Sequence, residues 1–233
     1  DLHFAPTASA RRNLLREGVP PARIRGTGNT VVDALRAARR RLPAEPPAAL
    51  GSIPRDKRIV LVTCHRRESF GRPLAGICRA LAAIPRAHPD AEVVYPVHRN
   101  PNVRRPVHAA LGRAPGVRLL PPLPYDALLH LLARAEIVLT DSGGIQEEAP
   151  SFGKPVLVLR EVTERSEGIR AGVARLVGTD PARILRETGR LLRSPAARRR
   201  MARARNPYGD GRAAARMAAT STWTWRTKRR IHL

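Results

Sequence analysis

Thr140-Asp141-Ser142-Gly143-Gly144 is the stretch whose residue types come closest to a chemical purpose. Gly143 and Gly144 let backbone approach a ligand closely, and Ser142 is placed to cap a helix whose leading N–H groups would face outward. Such orphan donors, together with the partial positive charge of a helix start, attract phosphate. Gln146, Glu147 and Glu148 fall in the first turns of that helix. Glu148 is within reach of a ligand seated on the turn, and a carboxylate there suits ribose hydroxyls. Taken alone, Ser-Gly-Gly fits a plain capped turn as well as a phosphate cradle. With the acidic residues beside it, a nucleotide diphosphate is favoured.

A diphosphate needs counter-charges that helix N–H groups alone do not supply. His65, Arg66 and Arg67 follow an apolar run, Arg58 to Thr63, and His98-Arg99-Asn100 follows another, Glu92 to Pro96. His65 by itself reads as a structural hydrogen bonder; beside two arginines and facing a Ser-Gly-Gly turn, it reads as part of an anion site. His98 stands open between a second basic strand end and a solvated loop. The alternating charges of Arg160 to Gly168 are either a surface ion-pair lattice or a loop that closes over a charged ligand, with Arg165 as a bidentate donor. There is no Ser-His-Asp order, no paired Cys/His metal spacing and no Walker loop, so neither a metal nor a cofactor is expected.

These groups need strand ends to carry them. Ile137 to Leu139 and Val156 to Leu159 are short apolar runs separated by the glycine turn and a helix, which makes one βαβ unit with parallel strands. The same alternation runs from residue 58 to residue 180. It predicts strands at Arg58 to Thr63, Glu92 to Pro96, Val117 to Leu120 and Arg175 to Val177, and helices at Leu74 to Ala87, Val103 to Leu111 and Tyr125 to Ala135. That is an α/β fold: a Rossmann-like parallel sheet with helices on both faces, whose ligands bind at the carboxyl ends of the strands. Before it come a short strand (Leu2 to Pro6), a helix capped by Thr7 or Ser9 (Ala10 to Glu17), a turn at Gly26 to Asn29, and a helix (Val31 to Arg41). Pro43 to Pro54 reads as a linker. After it come helices at Pro181 to Leu192, Ala196 to Arg205 and Arg212 to Ala219. The tail, Thr220 to Leu233, has no amphipathic period and is expected to be poorly ordered.

The chain has 233 residues and a formal charge of +24, which invites nucleic acid. The basic residues are spread along the sequence and are nearly all Arg, and aromatics are scarce, so nucleic acid is disfavoured. No run is long enough for a membrane span. Cys64 and Cys78 are too few for a disulfide framework, which makes a cytoplasmic location the default.

Taken together, CHRRESFG (from Cys64), YPVHRNPNVR (from Tyr95), LTDSGGIQEEAPSFGKPVLVLREVTERSEG (from Leu139), LVGTD (from Leu176) and NPYGDGRAA (from Asn206) closely resemble the non-hydrolysing UDP-N-acetylglucosamine 2-epimerases, in order and spacing. The resemblance runs from Asp1 to about Ala219 and implies a GT-B fold of two Rossmann-like halves. It implies interconversion of UDP-GlcNAc and UDP-ManNAc, a precursor supply for cell-envelope polysaccharide, without a redox cofactor. UDP is eliminated to a 2-acetamidoglucal and re-added to the other face. On this resemblance Ser142, Gly143 and Gly144 hold the diphosphate, Glu148 the ribose, and Arg165 further parts of the nucleotide sugar. His65 is the catalytic group helping UDP leave. Arg66 and His98 match positions that contact a second, activating UDP-GlcNAc, and a homodimer is expected of the full-length family. The usual aromatic after Pro124 is Leu128 here, and the usual TERPE is TERSE at Thr163 to Glu167.

The same resemblance divides the chain. Residues 1–28 would be the last strand and helix of an N-terminal domain, 29–54 a helix and linker, 55–205 the C-terminal UDP-binding half, 206–219 a helix packing back toward the other half, and 220–233 a tail. The family's acid/base carboxylates would lie in the missing part of the N-terminal domain.

Overall fold

A computed structural model describes residues 1–220. The described residues form two compact units, residues 42–205 and residues 1–41 with 206–220. The expected tail thus lies outside the described residues, apart from Thr220, which ends a helix.

The larger unit is a six-stranded sheet: β3 (Arg58–Thr63), β4 (Ala91–Pro96), β5 (Val117–Leu120), β6 (Ile137–Thr140), β7 (Val156–Val158) and β8 (Ala174–Leu176), in the order β5-β4-β3-β6-β7-β8. Every neighbouring pair is parallel. Counted from this unit's first strand the order is 3-2-1-4-5-6, so the direction of winding reverses between β3 and β6. A crevice opens at such a reversal, beyond the carboxyl ends of the two strands.

Continuous apolar runs make this sheet. Ile59, Val60, Leu61 and Val62 are all buried, as are Ile137, Val138 and Leu139, which is what helices covering both faces require. The covering helix α3 (Arg72–Ala87) repeats Leu74, Ile77, Leu81 and Ile84 on one buried face. The remaining helices of this unit are α4 (Pro101–Leu111), α5 (Tyr125–Arg134), α6 (Gly143–Glu148), α7 (Ser166–Arg170), α8 (Pro181–Arg193) and α9 (Pro195–Arg203). Tyr95, wholly buried on β4, donates its hydroxyl to the carbonyl of Cys64 at 2.7 Å and so ties β4 to the end of β3.

Two expectations are corrected here. The Pro/Ala-rich stretch after residue 42 is not a free linker: it belongs to the larger unit and buries Leu50 and Ile53. The segment Arg160 to Gly168 is not loop throughout, because Ser166 begins the short α7.

The smaller unit pairs β1 (His3–Ala5) with β2 (Ile24–Gly26) in parallel and contains α1 (Ala8–Arg16), α2 (Thr30–Arg40) and α10, residues 213–220. Thr7 caps α1 by accepting from Ala10 N at 3.1 Å, and Asn29 caps α2 by accepting from Val31 N at 3.0 Å. Asp33 supplies the cap of α10 from a different helix, accepting from Ala213 N at 3.1 Å and Ala214 N at 3.0 Å. Among the described residues no helix is long and apolar enough to cross a membrane.

Candidate functional site

The carboxyl ends of β3 and β6 are joined side by side. Thr63 and Thr140 share a hydrogen bond between their hydroxyls at 2.6 Å, and the residue that follows β6, Asp141, is completely buried. Its Oδ2 accepts from the backbone N–H groups of His65 and Arg66 at 2.8 Å each, from the Ser69 hydroxyl at 3.3 Å and from the Cys64 thiol at 3.2 Å. Burial and the nearby Asp141 charge push the Cys64 thiol well up, so it stays a protonated donor. Asp141 therefore shapes the whole Cys64–Ser69 turn. Sequence reasoning took it for a turn residue. The available signal was a carboxylate directly after a strand buried on both faces, where only donors from a neighbouring loop could satisfy it.

Ser142 occupies the residue before α6 with extended backbone, but its side chain makes no cap hydrogen bond, contrary to expectation. Its neighbours bind its backbone on both sides. Thr140 Oγ1 already accepts from Ser142 N at 2.9 Å, and Gln146 turns back to donate both its backbone N–H and its amide to the Ser142 carbonyl, at 3.2 Å each. The α-helix is short, Gly143–Glu148, continuing as a 3-10 turn, Ala149–Phe152, closed by Gly153 in the left-handed region (φ 64).

Gly143 is where the charges meet. A side-chain carbon on it would stand 3.5 Å from Nη2 of Arg165 and 3.5 Å from Nη2 of Arg66, so two guanidinium groups face its bare backbone. Arg165 is held by Glu147 through Nε at 2.6 Å, and Arg66 by Glu164 at 3.4 Å. Arg160 clamps the arrangement, meeting Glu68 at 2.8 Å and Glu164 at 2.7 Å. The Arg160–Gly168 segment is thus an ion-pair lattice, and the lattice fastens it to the turn after β3.

Glu148 lies one helical turn on from exposed Gly144, its Oε1 3.9 Å from where a side-chain carbon on that glycine would be. Burial pushes its carboxyl up to about 6; a hydrogen bond from Tyr125 opposes the rise and the Glu147 charge adds to it. Its Oε2 is buried with no hydrogen-bond partner among the described residues. Tyr125 is a contact with no local signal in the residue pattern, because it comes from α5.

His65 stacks on His98 with ring centroids 5.3 Å apart and planes 17° from parallel. His98 accepts at Nδ1 from Asn100 N at 3.1 Å. The two imidazoles and Ser142 form the polar side of a cavity of about 240 Å³, with Leu123, Leu128 and Ile145 among its apolar lining. All the expected residues therefore gather at one sheet edge: Ser142, Gly143, Gly144 and Glu148 on one strand end, His65 and Arg66 on its neighbour, Arg165 after β7 and His98 after β4.

The strand order, and a glycine turn at its reversal point, define a Rossmann-like α/β unit of the nucleotide-binding type. Comparison with known proteins gives the particular family. The family model for UDP-N-acetylglucosamine 2-epimerase matches residues 1–221. The chain is 52% identical to the probable UDP-N-acetylglucosamine 2-epimerase of Ralstonia nicotianae over 226 residues, 93% of this chain and 59% of that protein. It is 52% identical to the UDP-N-acetylglucosamine 2-epimerase of Escherichia coli K12 over 221 residues, 92% of this chain and 59% of that one. The crystal structure of the Neisseria meningitidis UDP-GlcNAc 2-epimerase bound to UDP-GlcNAc is similar with a TM-score of 0.90 at 38% identity, covering 95% of this chain and 61% of that one. The chain belongs to the UDP-N-acetylglucosamine 2-epimerase family. Its fold is of the GT-B type that these epimerases share with glycosyltransferases, and it spans about 59% of the length of the curated relatives it matches.

Proposed function

We propose that this chain carries the UDP-binding half of a non-hydrolysing UDP-GlcNAc 2-epimerase site. The observation that carries the reading is the meeting of the Arg66 and Arg165 guanidinium groups over the bare backbone of Gly143, each 3.5 Å from the space a side chain would take. Two cations facing a glycine turn suit a diphosphate, and the family match supplies the uridine nucleotide sugar. Ser142, Gly143 and Gly144 would hold the diphosphate, Arg165 would donate to it, and Glu148 would accept from the ribose hydroxyls. Leu123 and Leu128 give a nucleobase an apolar wall, Leu128 standing where the family usually has an aromatic.

In the reaction UDP-GlcNAc loses its C2 proton to a base, and the C1–O bond breaks with its electron pair passing to the β-phosphoryl oxygen. That leaves a 2-acetamidoglucal with a C1–C2 double bond. Re-adding UDP at C1 and a proton at the other face of C2 yields UDP-ManNAc. What this chain contributes is stabilisation of the charge on the departing diphosphate, by oriented N–H groups, guanidinium groups and His65 as hydrogen-bond or proton donor. The C2 proton is handled by carboxylates that the family resemblance puts outside the matched span. Arg66, beside the Gly143 turn, and His98 would also contact a second, activating UDP-GlcNAc.

The finer assignments belong to the same reading: residues 55–205 as the UDP-binding half, a homodimer, a cytoplasmic site of action and a product destined for envelope polysaccharide. Calorimetric titration of the chain with UDP tests the binding half, and no heat of binding at millimolar UDP sinks it. Incubation with UDP-GlcNAc in deuterated water tests the chemistry. Deuterium at C2 shows epimerase activity in the chain itself, and binding without exchange assigns it nucleotide-sugar binding alone.

A further inference from the structure

The two oxygens of the Asp141 carboxylate face different tasks. Oδ2 takes all four donors from the turn after β3: the backbone N–H groups of His65 and Arg66 at 2.8 Å each, the Ser69 hydroxyl at 3.3 Å and the Cys64 thiol at 3.2 Å. Oδ1 is buried and makes no hydrogen bond among the described residues, with Nδ1 of His65 in ion-pair range at 3.4 Å. A carboxylate with 0% exposure has to be satisfied by the protein, and the ring nitrogen beside the acceptor left over is the donor at hand.

The geometry points to Asp141 as the positioning residue of His65: Oδ2 fixes the backbone that carries the imidazole, and Oδ1 takes its Nδ1 proton, so that Nε2 is the nitrogen offered to the ligand. This deepens the reading of His65 as a substrate-facing group and rests on it. The consequence for the chemistry is specific. A neutral imidazole has one donor and one acceptor nitrogen, and a fixed partner on one decides the role of the other. With Nδ1–H directed at a buried carboxylate, Nε2 can accept a proton, and the resulting imidazolium, stabilised by Asp141, can donate to a departing phosphoryl oxygen. The stacked neighbour is arranged the opposite way. His98 accepts at Nδ1 from Asn100 N, so its neutral form carries the proton on Nε2. The two rings in contact hold contrary tautomers.

Long-range proton–nitrogen NMR of the labelled chain reads this directly at about pH 8, where an ordinary imidazole is neutral. The His65 signal is assigned by its loss in His65→Gln. His65 should show a protonated Nδ1 and a bare Nε2, and His98 the reverse. In Asp141→Asn the two backbone N–H groups require the amide oxygen at the Oδ2 position. The amide NH2 then faces Nδ1, and His65 should switch to the Nε2–H form. A wild-type His65 already in the Nε2–H form overturns the proposal, and so does an Asp141→Asn chain whose His65 keeps its Nδ1 proton. Should that variant fail to fold, the wild-type spectrum still decides. Titrating UDP into the same sample separates the two readings. Unmoved Gly143 and Gly144 amide signals would sink nucleotide binding whatever the tautomer of His65, and a wrong tautomer with shifting amides would sink only the role of Asp141.

Discussion

Arg165 gives its Nε to Glu147 at 2.6 Å, and with that contact made its Nη2 comes to the face of Gly143. The guanidinium is held through Nε, with Glu164 also 3.9 Å from its Nη1, and its Nη2 lies over the glycine turn, where a charged donor suits an anion. Replacing it by alanine should weaken UDP binding by roughly ten- to a hundredfold, the worth of about 1.4–2.8 kcal/mol of charge-assisted hydrogen bonding. Arg165→Lys should recover only part, since an ammonium cannot serve Glu147 and a phosphate with the same fork. Calorimetric titration gives both numbers; an unchanged dissociation constant in Arg165→Ala would remove this residue from the site.

Gly143→Ala separates fitting in the fold from fitting the ligand. The added methyl would meet the two guanidinium groups at 3.5 Å, ordinary contact distance, so the melting temperature should stay close to wild type. UDP affinity should fall at least tenfold, because the methyl fills the approach that a phosphate would use. A variant that binds UDP normally would place the phosphate elsewhere.

Glu148 makes two quantities depend on pH in opposite directions. Its carboxyl holds a proton up to about 6, against an ordinary 4.5. As pH rises between those values the unfolded chain loses this proton first, so stability falls across that window, by on the order of 1–2 kcal/mol. Below it the contribution is fully present. Glu148→Gln should therefore match wild type at about pH 4 and exceed it at about pH 7. Ribose hydroxyls prefer the ionised acceptor, so the ratio of wild-type to Glu148→Gln affinity for UDP should climb from about pH 5 to about pH 7, the ionisation of UDP's own terminal phosphate at about pH 6 being common to both. Melting curves and titrations at these values measure both; a ratio independent of pH would count against ribose contact at Glu148.

Asp33 accepts both leading N–H groups of α10, so Asp33→Ala leaves two helix-end donors without their acceptor. The smaller unit should lose about 1–2 kcal/mol. Hydrogen exchange should show it first in residues 213–220, with Asp33→Asn intermediate. Unaltered protection there would mean that α10 is held by its other contacts.

Much of this was legible beforehand because the larger sheet is built from unbroken apolar runs. Val60 to Val62 and Ile137 to Leu139 announce strands buried on both faces, and the polar residues after them are then bound to lie at one edge. The gathering of His65, Arg66, Ser142, Gly143, Glu148 and Arg165 follows from that alone. What escaped depends on partners far along the chain. Asp141 looks like a turn residue until the loop after β3 is laid against it. Ser142 has the right residue type and backbone for a cap, yet its hydroxyl makes no cap hydrogen bond. The Tyr125 contact to Glu148 joins two helices with no local pattern linking them. The prolines before residue 54 suggested a tether, and the burial of Leu50 and Ile53 overrode that composition.

The hydroxyl pair of Thr63 and Thr140 joins residues 77 positions apart. Closing so long a loop is an entropic toll met late, so parallel sheets of this kind assemble slowly. The ligand-facing groups thus have no early partial form: until β6 docks beside β3 there is nothing for a nucleotide to hold. Bound UDP should then act as a brake on unfolding and leave the refolding rate untouched.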